Sequence, residues 1–306
     1  MKTIKAYLPY FTGVGFALIF GFSFMFTKVA LDYATTMQLM GLRFLIAIIA
    51  MIILKVLKLI EVKLSFKDII AILPIAIFQP LLYFIGETYG VYYTSASMAG
   101  IFMALIPVLT AGISFFMLKE KLSFIQLLFV VLSLSGVVLI SIMTLTDAPS
   151  SLAIGVLFLL LAVVAGSFYT VLTRKATKTY SPISITFVMM AFGAIVFNIA
   201  GYTDSLINDY SYLKPFLELR FLGAIMFLGV LSSVGAFFLM VYTGSKVSAS
   251  QNALFVNLTT VVAILSGVIF LKEQIFIYQI IGSVMIILGV WGANFFSEHK
   301  ISRRNN

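Results

Sequence analysis

No cysteine occurs in the sequence, so neither a disulfide nor a thiolate site is available to it. The only histidine, His299, lies in a charged C-terminal stretch. That position removes histidine-based zinc sites and Ser–His–Asp catalysis from the apolar body of the chain. The phosphate-binding pattern G-x-x-x-x-G-K-[ST] and the metalloprotease pattern H-E-x-x-H are both missing. Catalytic residues, metal ligands and cofactors are therefore not expected, and neither is direct energising by ATP through a P-loop. Charge is also scarce: Asp, Glu, Lys and Arg make up 10% of the chain, against roughly a quarter in an ordinary soluble domain. A soluble fold of 306 residues lacks the means to cover its surface with so little polar material.

Apolar residues fill that place, at 62% of the chain, and they come in long runs. Lipid must then be the solvent for much of the outside. Lipid admits only helices or closed barrels, because backbone N–H and C=O groups find no water there. Barrel strands are short and alternate apolar with polar residues, whereas these runs are continuous, so helices follow. A span takes about 20 mostly apolar residues. Polar breaks place five spans at Tyr10–Leu31, Gln38–Leu57, Ile69–Gly90, Ser95–Leu118 and Phe124–Met143. Five more fall at Leu152–Thr173, Ile183–Ala200, Phe221–Thr243, Ser248–Leu271 and Ile275–Phe296. The connectors are short, and the longest runs from Gly201 to Arg220. Lys2 and Lys5 precede a first run as long as a full span with no small-residue cleavage pattern after it, which is expected to be a retained helix.

The basic residues are distributed unevenly. With ten spans and a cytoplasmic N-terminus, fifteen Lys and Arg fall in cytoplasmic segments and three, Lys214, Arg220 and Lys272, in outer ones. Such a bias sets orientation and places both termini inside a plasma (inner) membrane. The net charge of +9 is thus a topology signal, and no nucleic-acid partner is expected.

Displacing the chain by 153 residues aligns it with itself without a gap. Ser95-Ala96-Ser97 falls on Ser248-Ala249-Ser250, Leu118-Lys119-Glu120 on Leu271-Lys272-Glu273, Gln126 on Gln279, and Gly136-Val137 on Gly289-Val290. Agreement at polar and glycine positions marks a duplication, with halves at 1–146 and 147–306. Five spans per half is an odd number, so the second half enters the membrane the other way round. The expected fold is an all-α integral membrane protein of ten transmembrane helices, arranged as two inverted-topology five-helix repeats. Secondary transporters recurrently use such repeats.

Several short motifs then resemble the drug/metabolite transporter superfamily, in its ten-span EamA-type branch. They are Gly21-Phe22-Ser23-Phe24 with Lys28, Leu42-Arg43-Phe44, and Tyr93-Thr94-Ser95-Ala96-Ser97. Ile106-Pro107-Val108, Lys119-Glu120-Lys121-Leu122 and Ser135-Gly136-Val137 complete the series, which covers nearly the whole chain in order. Thr260 stands where the repeat would place a second proline, so a bend in span 4 has no required counterpart in span 9. The resemblance implies movement of small metabolites by a secondary mechanism.

Three ionisable residues lie within or at the edge of spans: Lys28, Arg43 and Glu87. A charge at mid-span costs about 2.5–3.5 kcal/mol on insertion scales, so it usually faces protein or water and has a partner. Two readings stand: a charged vestibule in which Glu87 pairs one cation, or cations that snorkel to the outer headgroups. Gln79, Tyr83 and Glu87 recur at i, i+4 and i+8 and share a helix face, with Pro80 loosening the hydrogen-bond ladder beside them. That face is the candidate lining of a cavity, although bonding between helices would explain it too. The small stripe Ala96, Gly100, Ala104 repeats as Ala249, Ala253, Asn257, which turns an amide inward. The candidate substrate-binding residues are thus Arg43, Gln79, Tyr83, Glu87 and Asn257.

The expected function is secondary transport of small organic metabolites across the plasma membrane by alternating access. Arg43 ranks amino acids and other carboxylate-bearing solutes ahead of purely cationic drugs. The alternative is a membrane sensor or scaffold that binds a small ligand without moving it. The expected partners are a small-molecule solute and the bilayer, and two complete halves make a monomer self-sufficient in principle.

Overall fold

A computed structural model describes residues 2–118, 123–146, 150–244, 246–247 and 249–302, and no strand occurs among them. The first half contains α1 (Lys2–Leu31), α2 (Thr36–Val56), α3 (Phe66–Ala76), α4 (Tyr83–Tyr93), α5 (Ala96–Met103), α6 (Ile106–Leu118) and α7 (Phe124–Thr146). The second contains α8 (Ser150–Ala176), α9 (Pro182–Ile207), α10 (Leu219–Met226), α11 (Phe237–Gly244), α12 (Ala249–Leu271) and α13 (Ile277–Ser302). Among the described residues, eight helical stretches are long and apolar enough to cross a membrane. Two shorter apolar stretches, Phe255–Leu271 and Ile277–Ala293, coincide with the predicted spans 9 and 10.

Hydroxyl side chains start these helices where the apolar runs begin. Thr35 and Gln38 form a reciprocal capping box at α2, and Ser65 and Asp68 form another at α3. Ser95 accepts from Met98 N at α5, and Ser181 accepts from Ser184 N at α9. Each hydroxyl answers a first-turn N–H that the helix cannot satisfy internally, and the Gln38 amide and Asp68 carboxylate accept in return from the N–H of the capping residue. The predicted connector from Gly201 begins later than expected, because α9 continues to Ile207. Asp204 lies inside the helix and Asn208 caps its end: the Asn208 N–H donates to Asp204 O, and Asn208 Nδ2 to Asp204 Oδ1 at 2.8 Å.

Three interruptions shape the interior. Between α3 and α4 lies a π-type segment, Ile77–Leu82, in which Gln79 is extended at φ −144° and ψ 117°. Pro80 has no N–H to continue the ladder, so the predicted loosening is a true break. Between α10 and α11 lies a second π-type segment, Phe227–Ala236, without a proline. Ser233 Oγ donates to Leu228 O there at 2.8 Å. The repeat offset of 153 carries Gln79-Pro80 onto Ser232-Ser233, so both halves hold a π-type segment at the corresponding position, with an extended residue only in the first. The third interruption separates α5 from α6 just before Pro107. Its counterpart α12 carries Thr260 instead and runs unbroken from Ala249 to Leu271.

The helices pair in a pattern that survives exchange of the halves. α7 packs on α13, α2 on α9 and α5 on α12. α4 packs on α8, and the corresponding second-half segments, α10, α11 and the π-type turn between them, pack on α1. The α7–α13 crossing is close because glycines face backbone. A Cβ on Gly136 would lie 2.6 Å from Gly282 O, and one on Gly289 2.5 Å from Phe129 O. Between them Ser133 Oγ donates to Ile286 O at 3.1 Å. The contacts rise along α7 as they fall along α13, so the two run antiparallel, and each contact maps onto another by the 153-residue offset. Gly100 likewise brings α5 against α12, where a Cβ would overlap Ala263. The repeated Lys119-Glu120 and the side chains of Ala249 and Ala253 lie outside the described residues.

Candidate functional site

The breaks, α1 and α8 enclose a cavity of about 470 Å³. One end is blind and holds Arg43, Glu87 and Ser23, all buried, at 4%, 2% and 6% exposure. The lining then runs past Tyr169 to Thr170, which is exposed, and to Thr173 and Met240. The mouth thus faces the end of the bundle where α8 finishes at Arg174 and Lys175 and where α1 begins. Phe16, Phe20, Phe24, Phe84, Met103 and Phe237 form an apolar wall.

Arg43 is held from two directions. Its Nε donates to Ser233 Oγ and its Nη2 to Ser232 Oγ, both at 3.2 Å. Its guanidinium carbon lies 4.5 Å from the centroid of the Phe84 ring, within cation–π range. A guanidinium has five N–H donors in a rigid fork. The serines take one edge and leave three donors without a partner among the described residues. Glu87 accepts from Thr88 Oγ1 at 3.1 Å and more weakly from Thr27 Oγ1 at 3.5 Å. No ion pair within 4 Å joins Glu87 to Arg43 or Lys28 among the described residues, although Arg43 is near enough for the two charges to act on each other.

The i, i+4, i+8 face is realised: Gln79, Tyr83 and Glu87 all line the cavity. Neither the Gln79 amide nor the Tyr83 hydroxyl bonds to another described residue. Thr110 Oγ1, also on the wall, is buried without a partner. The structure therefore brings together Arg43, Gln79, Tyr83 and Glu87. Asn257 stands apart. Val256 and Thr259 of α12 reach the cavity, while Asn257 is buried with its Oδ1 unpartnered. Nearby on the same helix, Thr260 Oγ1 donates to Gly100 O on α5 at 3.2 Å, so α12 bonds to α5 beside the cavity.

Lys28 is not in the cavity. Its Nζ donates to Val91 O at 2.9 Å, Tyr92 O at 3.1 Å and Thr94 O at 3.2 Å, covering the carbonyl end of α4. A cation at a helix C-terminus is favourable because the last carbonyls lack helical donors. Ser232 and Ser233, which accept from Arg43, are not among the residues that the sequence singled out. The 153-residue offset from Gln79 and Pro80 was the signal that pointed to them.

A bundle of apolar helices around a mostly apolar, solute-sized cavity with two buried ionisable residues fits a multi-pass membrane protein of the transporter class. Matches to known proteins narrow this further. The model of the EamA-like transporter family matches twice, over residues 8–142 and 153–295. The chain belongs to that family. It is 35% identical over 296 residues to the uncharacterized transporter YcxC of Bacillus subtilis (strain 168), covering 96% of this chain and 95% of that one. It is 25% identical to an uncharacterized transporter of Archaeoglobus fulgidus, over 89% of this chain and 93% of its relative. A crystal structure with 19% sequence identity superposes with a TM-score of 0.64, over 96% of this chain and 98% of the other, and shows the same fold.

Proposed function

We propose that this membrane transporter is a secondary carrier of small carboxylate-bearing or zwitterionic organic solutes, with α-amino acids foremost, working by alternating access. The carrying observation is the blind end of the cavity, where, among the described residues, Arg43 keeps three donors without a partner and Glu87 lies near Arg43 without forming an ion pair with it. Two charges buried beside an open cavity, and not paired to each other, are what a solute bearing both signs completes. A solute carboxylate fits the free edge of the guanidinium fork, which favours planar two-point binding. A solute ammonium fits Glu87, and the phenyl rings of Phe16, Phe20 and Phe84 suit an apolar side chain. Gln79 and Tyr83 add groups that both donate and accept.

Alternating access calls for two similar halves of opposite orientation, here 1–146 and 147–306, with ten spans in all. The antiparallel α7–α13 crossing and the matched π-type segments at Gln79-Pro80 and Ser232-Ser233 support that reading. With the cation bias, the protein sits in the plasma membrane with both termini in the cytoplasm, and the cavity mouth faces the cytoplasm. The missing P-loop leaves a solute or ion gradient as the driving force.

Purified protein in liposomes tests the proposal, with radiolabelled leucine, phenylalanine and glutamate as probes. We expect time-dependent uptake of at least one, reduced at least tenfold in initial rate at subsaturating solute by Arg43→Gln. Saturable binding without uptake would instead make the protein a sensor or scaffold.

A further inference from the structure

The end of the bundle opposite the cavity mouth is shut by a contact that the solute site does not use. Glu273 follows α12 in the second half and reaches α5 in the first. Its Oε1 accepts from Ala96 N at 2.8 Å, and its Oε2 accepts from Ser97 N at 2.9 Å and from Ser97 Oγ at 2.5 Å. These N–H groups belong to the first turn of α5, where no helical carbonyl can take them and where a negative charge is favoured. Ser95 Oγ accepts the next one, from Met98 N, at 3.0 Å. The seat is shaped for this purpose: a Cβ on Gly267 would overlap both Ser97 Oγ and Glu273 Oε2.

The geometry points to Glu273 as a latch: its carboxylate holds the N-terminus of α5 while the cavity is open at the far end, and it must release α5 before the cavity can open at this one. Three features carry the inference. The contact joins opposite halves, which alternating access must separate at one end. α5 is a rigid piece of only eight residues, cut from α6 at Ala104–Leu105, so it has a built-in hinge. The cavity stops at Met103 and Ile106, on that hinge, so α5 itself stands between the solute and the closed end. The Ala96 and Ser97 N–H groups have no carbonyl within their own helix to turn to when Glu273 leaves, so water takes its place. The latch therefore exchanges protein for water bonds when it opens and can close again unaided.

The inference rests on the transporter reading, but it can be measured without a solute. The chain has no cysteine, so a single Ser23→Cys places one thiol on the cavity wall near the blind end. Full-length protein in oriented vesicles is labelled with a membrane-impermeant methanethiosulfonate from either face. With Glu273 present, labelling is expected from the mouth side. Glu273→Gln, which keeps the shape and removes the charge, is expected to raise the closed-side labelling rate at least tenfold, and Ser97→Ala to raise it less. An unchanged closed-side rate in Glu273→Gln would overturn the latch. A second arm uses Ala96→Cys with Glu273→Cys: disulfide formation is expected to stop uptake of the amino-acid probes, and reduction to restore it. Equal uptake by cross-linked and reduced protein would also overturn it. If closed-side labelling rises in Glu273→Gln while no probe is transported even by unsubstituted protein, the transporter reading fails and the latch stands.

Discussion

The hold of Ser232 and Ser233 on Arg43 can be measured by a double-mutant cycle. The guanidinium is buried and its two serine bonds are 3.2 Å long. Hydrogen bonds to charged groups contribute about 1.5–3 kcal/mol each in proteins. Interhelical bonds in membranes average only about 0.6 kcal/mol and reach about 1.7, because the unfolded state in the membrane also finds partners. A charged donor in a site open to water on one side falls between these ranges. We expect a coupling of about 1–1.5 kcal/mol between Arg43 and Ser232. The cycle compares Arg43→Met, Ser232→Ala and the double variant by equilibrium unfolding in mixed micelles. Ser233→Ala should cost more than Ser232→Ala, since Ser233 Oγ also donates to Leu228 O and steadies the π-type turn. That second bond is neutral and adds about 0.5–1.5 kcal/mol. A coupling below about 0.3 kcal/mol, or equal costs for the two serines, would refute the view that this segment exists to hold the guanidinium.

Asn257→Ala removes a buried carbonyl that has no partner, a group costing about 1–3 kcal/mol when left unsatisfied. Stability measured in micelles is therefore expected to hold or rise, with the apparent solute affinity unchanged within threefold; a tenfold loss of affinity would return Asn257 to the site. For orientation, single cysteines at Asp209, an exposed residue after α9, and at Lys178, exposed after α8, are the informative positions. Impermeant reagent on intact cells should label the first and not the second, and the reverse pattern would invert the topology.

The sequence by itself determined the solvent and the secondary structure. An apolar run of about 20 residues in lipid has no choice but to satisfy its backbone internally, so the presence of the helices follows from composition and polar breaks, while their limits shift in the structure, as where α9 runs on to Ile207. The duplication was legible because serine, lysine, glutamate and glycine recur 153 residues apart in an apolar background that would hide a weaker match. The shared face of Gln79, Tyr83 and Glu87 followed from helical periodicity and survives in the structure, even though the break at Gln79 lies within it. Tertiary structure decided what each charge meets. Glu87 accepts from hydroxyls with Arg43 near but not in direct contact, Lys28 covers the carbonyl end of α4, and Glu273, in a connector that reads as ordinary, closes on α5. Val256 and Thr259 line the cavity while Asn257 between them does not, because the way α12 crosses its neighbours, which local sequence does not specify, sets which of its residues meet the cavity. Periodicity fixes which residues of a helix look the same way; only packing fixes what they look at.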